Sequence, residues 1–199
     1  MTSYEHRGQV PSIDPTAWVA PNATLSGDVV VGPGARVLYG AVLSAEDGQV
    51  RIGPDTVVLD NAVIRGRAGH PATIAGAVMV GPHAHVNGAD VAEGCFLATG
   101  ASLFPGCRLE PGVEVRINGV VHANTVVAAG AVVPIGWVAV GDPAQILPPD
   151  RHDEIWAVQR TLDFPGTVYG LPPDSPPTVR MATQSRWYGE HVHDRVHEP

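Results

Sequence analysis

Histidine, arginine and amide side chains that could carry acid–base chemistry cluster in the first half of the chain. His83 and His85 are two residues apart, and Asn87 follows at the same spacing. On a β-strand, His85 and Asn87 would face the same side. A histidine can transfer protons near neutral pH, and a guanidinium such as that of Arg65 can hold a carboxylate through its planar fork. These residue types together suit proton transfer to or from a small anion.

A six-residue repeat of aliphatic residues decides where these side chains point. Every sixth residue from Val91 to Val133 is Val or Leu without a break. This period fits neither an α-helix nor simple strand alternation, and it is typical of a three-sided parallel β-helix that uses one hexapeptide per side. The register predicts inward aliphatic side chains at Ile13, Val19, Leu25, Val31, Val37, Leu43, Ile52, Val58, Ile64, Ile74, Val80, Val86, Val91, Leu97, Leu103, Leu109, Val115, Val121, Val127 and Val133.

The repeat slips twice, across 44–51 and across 65–73, and both slips are predicted to be insertions at corners. The whole pattern predicts about seven coils of roughly 18 residues. Arg65 and Asn87 each follow an inward aliphatic, and those aliphatics lie three hexapeptides apart. The two side chains should therefore stack on one outer face, one rung apart. We call the predicted stack the outer column; its members are Ser44, Arg65, Asn87, Phe104 and His122.

The predicted organisation is an all-β solenoid over residues 10–142 followed by a C-terminal segment over 143–199. Ile155, Val158 and Leu162 at helical spacing predict an amphipathic helix within 150–164. A Pro/Gly-rich linker should follow over 165–177, and a weaker second helix over 179–196. Trp187 and Tyr188 are expected to pack that helix onto the prism or onto a neighbouring subunit.

Composition excludes several function classes. The 199 residues carry a formal charge of −8, and all twelve basic residues are Arg, with no Lys. Nucleic-acid binding is therefore not expected, and Schiff-base chemistry is excluded. No segment is apolar enough to span a membrane. Cys95 and Cys107 should lie on different sides of the prism, and two unpaired thiols predict a cytoplasmic protein.

Four segments of the repeat region have a distinctive sequence: Ile-Asp-Pro-Thr-Ala-Trp-Val-Ala-Pro (13–21), Leu-Tyr-Gly-Ala-Val-Leu (38–43), Val-Arg-Ile-Gly (50–53) and Gly-Asp-Pro-Ala (141–144). Through them the chain resembles the hexapeptide-repeat superfamily, and within it the γ-class carbonic anhydrase-like proteins. The resemblance covers Val10 to about Leu162. It implies a left-handed β-helix, a homotrimer with active sites between neighbouring subunits, and three zinc-binding histidines.

The chain departs from that family at all three zinc positions, which here are Arg65, Pro82 and Asn87. A permanently charged Arg cannot ligate a metal and would repel it. We therefore predict no metal at this site, no cofactor and no hydration of CO2 by zinc-bound hydroxide.

The interpretation that we favour is a homotrimeric, zinc-free enzyme with a rebuilt site. It would apply acid–base chemistry of the lyase or hydratase type to a small anionic or carbonyl substrate. The predicted catalytic residues are His85 or His83 as the acid–base group, with Glu46 and Asp60 as orienting carboxylates; the predicted substrate-binding residues are Arg65, Asn87, His122 and His70.

Three alternatives remain open from the sequence. One is a hexapeptide-repeat acyltransferase with a His base and a coenzyme A groove between subunits, and another is a non-catalytic trimeric scaffold. The third is a metal site relocated to His70, His83 or His85. The C-terminal histidines 191, 193 and 197 also have metal-like spacing, but a mobile tail is the simpler interpretation.

Overall fold

The computed structural model describes residues 1–197, so the last two residues of the predicted tail, 198–199, lie outside the described range. The described chain winds into a parallel-strand solenoid of about eight turns, which confirms the predicted hexapeptide β-helix and is consistent with its left-handed form. A C-terminal helical segment follows the solenoid.

Most strands are only two residues long, because each hexapeptide supplies one short strand and one corner. In chain order the strands are β1 (Thr2–Glu5), β2 (Ser12–Ile13), β3 (Trp18–Val19), β4 (Thr24–Val31), β5 (Arg36–Val37), β6 (Val42–Ile52), β7 (Val57–Val58), β8 (Val63–Gly66), β9 (Ala72–Ile74), β10 (Met79–Val80), β11 (His85–Asn87), β12 (Asp90–Val91), β13 (Phe96–Leu97), β14 (Ser102–Leu103), β15 (Arg108–Leu109), β16 (Glu114–Val115), β17 (Val120–Val121), β18 (Val126–Val127), β19 (Val132–Val133), β20 (Val138–Val140), β21 (Gln145–Leu147) and β22 (Arg195–His197). The helices are α1 (His152–Gln159), α2 (Phe164–Tyr169), α3 (Pro177–Tyr188) and a 3-10 helix (Gly189–His193).

The solenoid has three faces, and one of them carries the outer column. On this face, which we call the site face, β6 pairs with β8, β8 with β11, β11 with β14, and β14 with β17, all in parallel. The long strands β4 and β6 continue around one corner, so that the site face and the next face form a single 15-stranded sheet. The third face is a separate sheet of seven strands.

The axis of the solenoid is filled by the predicted inward residues. Eighteen of the twenty are buried, and only Ile13 and Val19 in the first coils are partly exposed. Stacked Leu43, Ile64 and Val86 show the register directly, because they pair as Cα partners on adjacent strands. Burying one such side chain stabilises the fold by about 1.5–3 kcal/mol.

The solenoid begins earlier than the sequence predicts, and its two slips differ in form. A strand precedes residue 10, since β1 pairs in parallel with β4 and adds to the predicted seven coils. The slip at 44–51 is an insertion inside β6, where residues 46–49 lie opposite the single residue Asp28 of β4, between the pairs Gly27–Ala45 and Val29–Val50. The slip at 65–73 contains a tight turn in which Arg67 and His70 pair.

The C-terminal segment folds back over the first coils. Helix α1 is shorter than predicted and buries Ile155. The predicted linker contains α2, and the predicted second helix ends at Tyr188. Strand β22 then pairs antiparallel with β1, which joins the two ends of the described chain. Within residues 1–197, no helix is long and apolar enough to cross a membrane.

Candidate functional site

The register places three members of the outer column on adjacent strands, as predicted. Asn87 is the Cα partner of Arg65, and Arg65 is the partner of Ser44. Neighbouring strands lie about 4.8 Å apart, so these side chains are direct neighbours. Farther along the face, the rings of Phe104 and His122 stack with their centroids 6.1 Å apart. The column is therefore polar at one end and aromatic at the other.

The chain's own C-terminal segment covers this column, which the sequence did not predict. Arg65 Nη1 donates a hydrogen bond to Tyr188 Oη at 3.1 Å, and the guanidinium lies 5.5 Å from the centre of the Tyr188 ring. At the other end, Phe164 of α2 packs against His122 with ring centroids 5.2 Å apart. Asn87 and His122 are consequently only 8% and 5% exposed.

Glu46 links the column to the C-terminal segment. Its side chain is 4% exposed. Ser44 Oγ donates to Glu46 Oε1 at 2.9 Å, and Arg65 Nη1 lies 4.0 Å from the same oxygen. His191 Nε2 lies 2.8 Å from the other oxygen, Oε2. The predicted orienting carboxylate thus contacts a histidine that is 145 positions away in the sequence.

His191 in turn belongs to a cluster that joins the two ends of the described chain. Its Nδ1 lies 2.8 Å from Asp194 Oδ2, and His6 Nδ1 lies 2.5 Å from Asp194 Oδ1. Burial alone would lower the pKa of His191, but the hydrogen bond to Asp194 and the charge of Glu46 outweigh it and raise that pKa. Burial acts to raise the pKa of Asp194, yet its bonds to His191 and His6 lower it overall. We call His6, His191 and Asp194 the terminal cluster.

Of the predicted acid–base histidines, His85 lies next to the column. It is half-buried on β11, two residues before Asn87 on the same strand. Burial, and to a smaller extent the positive charge of Arg65, lowers the pKa of His85. A neutral imidazole at pH 7 can accept a proton, as a general base must.

The other three predicted residues lie at the edges of the site. His83 is exposed at a corner, where its backbone N–H donates to the carbonyl of Asp60 at 3.1 Å. In the described chain, the side chains of His83 and Asp60 make no hydrogen bond or ion pair with Arg65 or Asn87. His70 lies in the turn of the second insertion and packs close to Gly88, where an added Cβ would meet His70 Cβ at 2.8 Å. Burial, followed by the charge of Arg67, lowers the pKa of His70.

Two cavities adjoin the covered column. One of about 450 Å³ is lined by His6, Glu46 and Asp47, beside the terminal cluster. Another of about 230 Å³ lies between the second insertion and the C-terminal helices, lined by Asp47, His70 and Trp187 among others. Trp187 Nε1 donates to Asp47 Oδ2 at 3.0 Å, and Arg67 stacks over the Trp187 ring at 4.4 Å. Together with the contact of Tyr188 with Arg65, these contacts confirm that Trp187 and Tyr188 pack α3 onto the prism.

The three positions where the resemblance implies zinc ligands do not fit a zinc ion. Arg65 offers only donors and is occupied by Tyr188 and Glu46. Pro82 has no ligand atom, and Asn87 offers a neutral amide. Zinc sites in proteins use histidine nitrogen, cysteine sulfur or carboxylate oxygen. The cysteines do not substitute, because both are buried and burial raises the pKa of Cys107 to about 12.

Sequence reasoning missed His6 and Asp194 and the contact of Tyr188 with Arg65, and the interpretation of His191 as part of a mobile tail is wrong. Tyr188 contacts the column and His191 contacts Glu46, whereas His6 and Asp194 are linked to the site through His191. The spacing of the C-terminal histidines was the one signal that could have found His191. His6 and Asp194 had none, because their contact joins positions 188 residues apart.

Comparison with known proteins shows similarity over about half of the chain. The chain is 34% identical over 95 residues, 45% of its length, to γ carbonic anhydrase 3, mitochondrial, of Arabidopsis thaliana. It is 28% identical over 97 residues, 49% of its length, to the carnitine operon protein CaiE of Escherichia coli. The matches span 37% and 46% of those proteins, so the chain covers less than half the length of either relative. No protein-family profile matches.

Solved structures of hexapeptide transferases also align with the chain. A hexapeptide transferase family protein from Anaplasma phagocytophilum aligns at 26% identity over 80% of this chain and 90% of that one, with a TM-score of 0.43. The acetyltransferase domain of PglB from Neisseria gonorrhoeae aligns at 20% identity over 66% and 57%, with a TM-score of 0.30. Both TM-scores are too low to support a functional assignment. The repeat and its register show a hexapeptide-repeat β-helix, and the chain is similar to γ-carbonic anhydrases over about half of its length.

Proposed function

We propose that this protein binds a small oxoanion at Arg65 and applies zinc-free acid–base chemistry to it. The observation that carries the proposal is a pair of buried polar atoms without a hydrogen-bond partner among residues 1–197, Arg65 Nε and Asn87 Oδ1. Leaving such atoms unpaired costs about 1–3 kcal/mol each. A ligand that binds here would remove that cost.

The two atoms are complementary, and this narrows the ligand class. Arg65 Nε is a donor and requires an acceptor, whereas Asn87 Oδ1 is an acceptor and requires a donor. A small oxoanion that keeps one hydroxyl group, such as bicarbonate or a hydroxy acid, offers both. It would lie beneath Tyr188, shielded from water, where charge-assisted hydrogen bonds are stronger than in solution.

His85 supplies the acid–base group in this proposal. Its lowered pKa keeps the imidazole neutral near pH 7, so it can accept a proton from the hydroxyl of the bound anion. Glu46 is hydrogen-bonded to Ser44 and His191, and its carboxylate lies 4.0 Å from Arg65 Nη1. It therefore holds the guanidinium in place while Nε binds the ligand. His122 offers a ligand two further polar atoms, because both of its ring nitrogens are buried without a partner among the described residues.

The test is binding of bicarbonate and acetate as probes, measured by calorimetry and by the shift of the melting temperature. We expect the wild type to bind bicarbonate more tightly than acetate, and Arg65→Ala to bind neither. Arg51→Ala removes an exposed arginine of β6 outside the column and should bind like the wild type. Equal affinity in wild type and Arg65→Ala would favour the scaffold, and binding of acetyl coenzyme A in their place would favour the acyltransferase.

The proposal includes a homotrimer. Four large apolar side chains on the solenoid surface are strongly exposed: Trp18 is 42%, Tyr39 52%, Ile117 46% and Ile135 66% exposed. Ile117 and Ile135 also line an apolar depression of about 270 Å³. Exposed apolar patches commonly mark interfaces, and identical subunits associate in closed cyclic symmetry.

We keep a cytoplasmic location in the proposal because both thiols are free.

Sedimentation analysis tests the assembly. The wild type should sediment as a trimer, and Ile135→Glu should dissociate it by placing a charge in the interface. Val179→Glu changes an exposed apolar residue of α3 and is the matched control. A monomeric wild type would contradict the trimer without affecting the binding test at Arg65.

A further inference from the structure

The terminal cluster brings two histidines and one carboxylate together outside the outer column. His6 follows β1, and His191 and Asp194 lie in and just after the 3-10 helix. Both Nδ1 atoms face the carboxylate of Asp194, at 2.5 Å from His6 and 2.8 Å from His191. The potential ligand atoms of all three residues lie within 4.8 Å of one another. The two imidazole rings are nearly parallel, with their centroids 4.4 Å apart.

The partner of the remaining nitrogen of His191 is the second observation. His191 Nε2 is hydrogen-bonded to Glu46, a carboxylate that is 4% exposed. Histidines that bind metals typically donate their other ring N–H to a carboxylate in this way, and the contact fixes the tautomer that leaves the opposite nitrogen free to ligate. When Nε2 donates to Glu46, the nitrogen of His191 left to ligate a metal is Nδ1, which here contacts Asp194 at 2.8 Å.

The burial of His6 gives a third observation. Its side chain is 2% exposed, and its Nε2 has no hydrogen-bond partner in the described chain. Nδ1, which faces Asp194, is therefore the ring nitrogen of His6 that has a polar neighbour among the described residues, and it is the atom that would ligate.

We propose that His6, His191 and Asp194 form a binding site for a divalent transition metal, with Zn²⁺ as the best match. Two imidazole nitrogens and one carboxylate oxygen are a ligand set that zinc uses together with a fourth, open position. Magnesium and calcium prefer all-oxygen surroundings, so two nitrogen ligands select against them. This site is separate from the zinc positions of the related family, which here hold Arg65, Pro82 and Asn87.

The metal would fasten the C-terminal segment to the first coils. His6 belongs to the start of the chain and the other two ligands to its end, so coordination would reinforce the pairing of β1 with β22. Glu46 contacts both His191 and the column. The other two ligands, His6 and Asp194, are not hydrogen-bonded to the column in the described chain, so variants of the cluster and of Arg65 test the metal and the anion separately.

The experiment uses the full chain, stripped with a chelator, desalted and titrated with Zn²⁺ alone. Bound metal is counted by elemental analysis, and affinity is measured by competition with a chromophoric chelator. We expect one zinc per chain in the wild type, and none retained by His191→Gln or Asp194→Asn. Glu46→Gln should weaken binding by about 10–100-fold, as loss of a carboxylate behind a metal-bound histidine does. His193→Gln, an exposed histidine of the same 3-10 helix, should bind like the wild type.

Cobalt gives a readout that needs no variant, so misfolding of a variant cannot obscure the result. Co²⁺ bound to the wild type should produce paramagnetically shifted ring-proton signals from two histidines. The proposal is overturned if the stripped wild type takes up no zinc, or if His191→Gln and Asp194→Asn bind it as tightly as the wild type. It is also overturned if zinc is lost from a His83→Gln/His85→Gln variant instead, which would place the metal at the corner of the site face.

Discussion

The axis of the solenoid and the covered outer column lie on the two sides of the same strands, yet they are specified in different ways. Inside, each position requires an aliphatic side chain that stacks on the one a coil away, as Leu103 stacks on Val86. Outside, the contacts join distant positions, such as Arg65 with Tyr188 and Glu46 with His191. A periodic core can therefore be predicted from local sequence, whereas the site on its surface depends on where the rest of the chain folds back.

Replacing one aliphatic residue of the axis with a charged residue should have the largest effect on folding. Val121 is fully buried in the axis, and Val121→Asp would place an unpaired charge there with no partner. We expect no folded protein, judged by circular dichroism and by recovery in the soluble fraction. Val120→Asp changes the neighbouring, outward-facing residue of β17 and should still fold. A folded Val121→Asp protein would refute the register of the solenoid.

Removing one contact between the C-terminal segment and the insertions should produce a moderate effect. Trp187→Ala deletes the stacking with Arg67 and the hydrogen bond to Asp47. Together these should lower the free energy of unfolding by about 1–2 kcal/mol. Trp156→Ala removes an indole of α1 that is 52% exposed, and it should change little in the same urea titration. Equal losses in the two variants would show that α3 does not pack as described.

The smallest effect is a change of stability with pH at the aromatic end of the column. Burial lowers the pKa of His122 in the folded chain, so the unfolded chain binds the proton more readily. The neutral His122 ring makes its full contribution to the free energy of unfolding at a pH above about 6.5, the ordinary pKa of histidine. That contribution is lost as the pH falls through the lowered pKa of the folded chain.

Urea unfolding at several pH values measures that loss. His122→Leu should flatten the dependence on the acid side, while His152→Leu, at an exposed position of α1, should follow the wild type. A His122→Leu protein that loses as much stability on acidification as the wild type would assign the effect to other groups.

The sequence predicted the solenoid, its inward residues and the neighbouring positions of Ser44, Arg65 and Asn87, because all of these follow from a six-residue period. It predicted the insertion at 44–51 but not its form, because β6 continues as one strand through the inserted residues 46–49. It did not predict the cover over Arg65. The packing of Tyr188 onto the prism was predicted, but no local pattern indicates that its partner is Arg65 or that His191 contacts Glu46.

The pairing of β1 with β22 also sets the order in which the molecule can be completed during synthesis. The first coils can stack as soon as they leave the ribosome, because each coil contacts only the next. His191 follows Glu46 by 145 residues, which at about 5–20 residues per second is a delay of roughly 7–30 s. During that interval His6, Glu46 and Arg65 lack their partners in residues 188–194, and the edge of β1 has no strand beside it on that side. Residues 188–197 therefore both close the edge and complete the site.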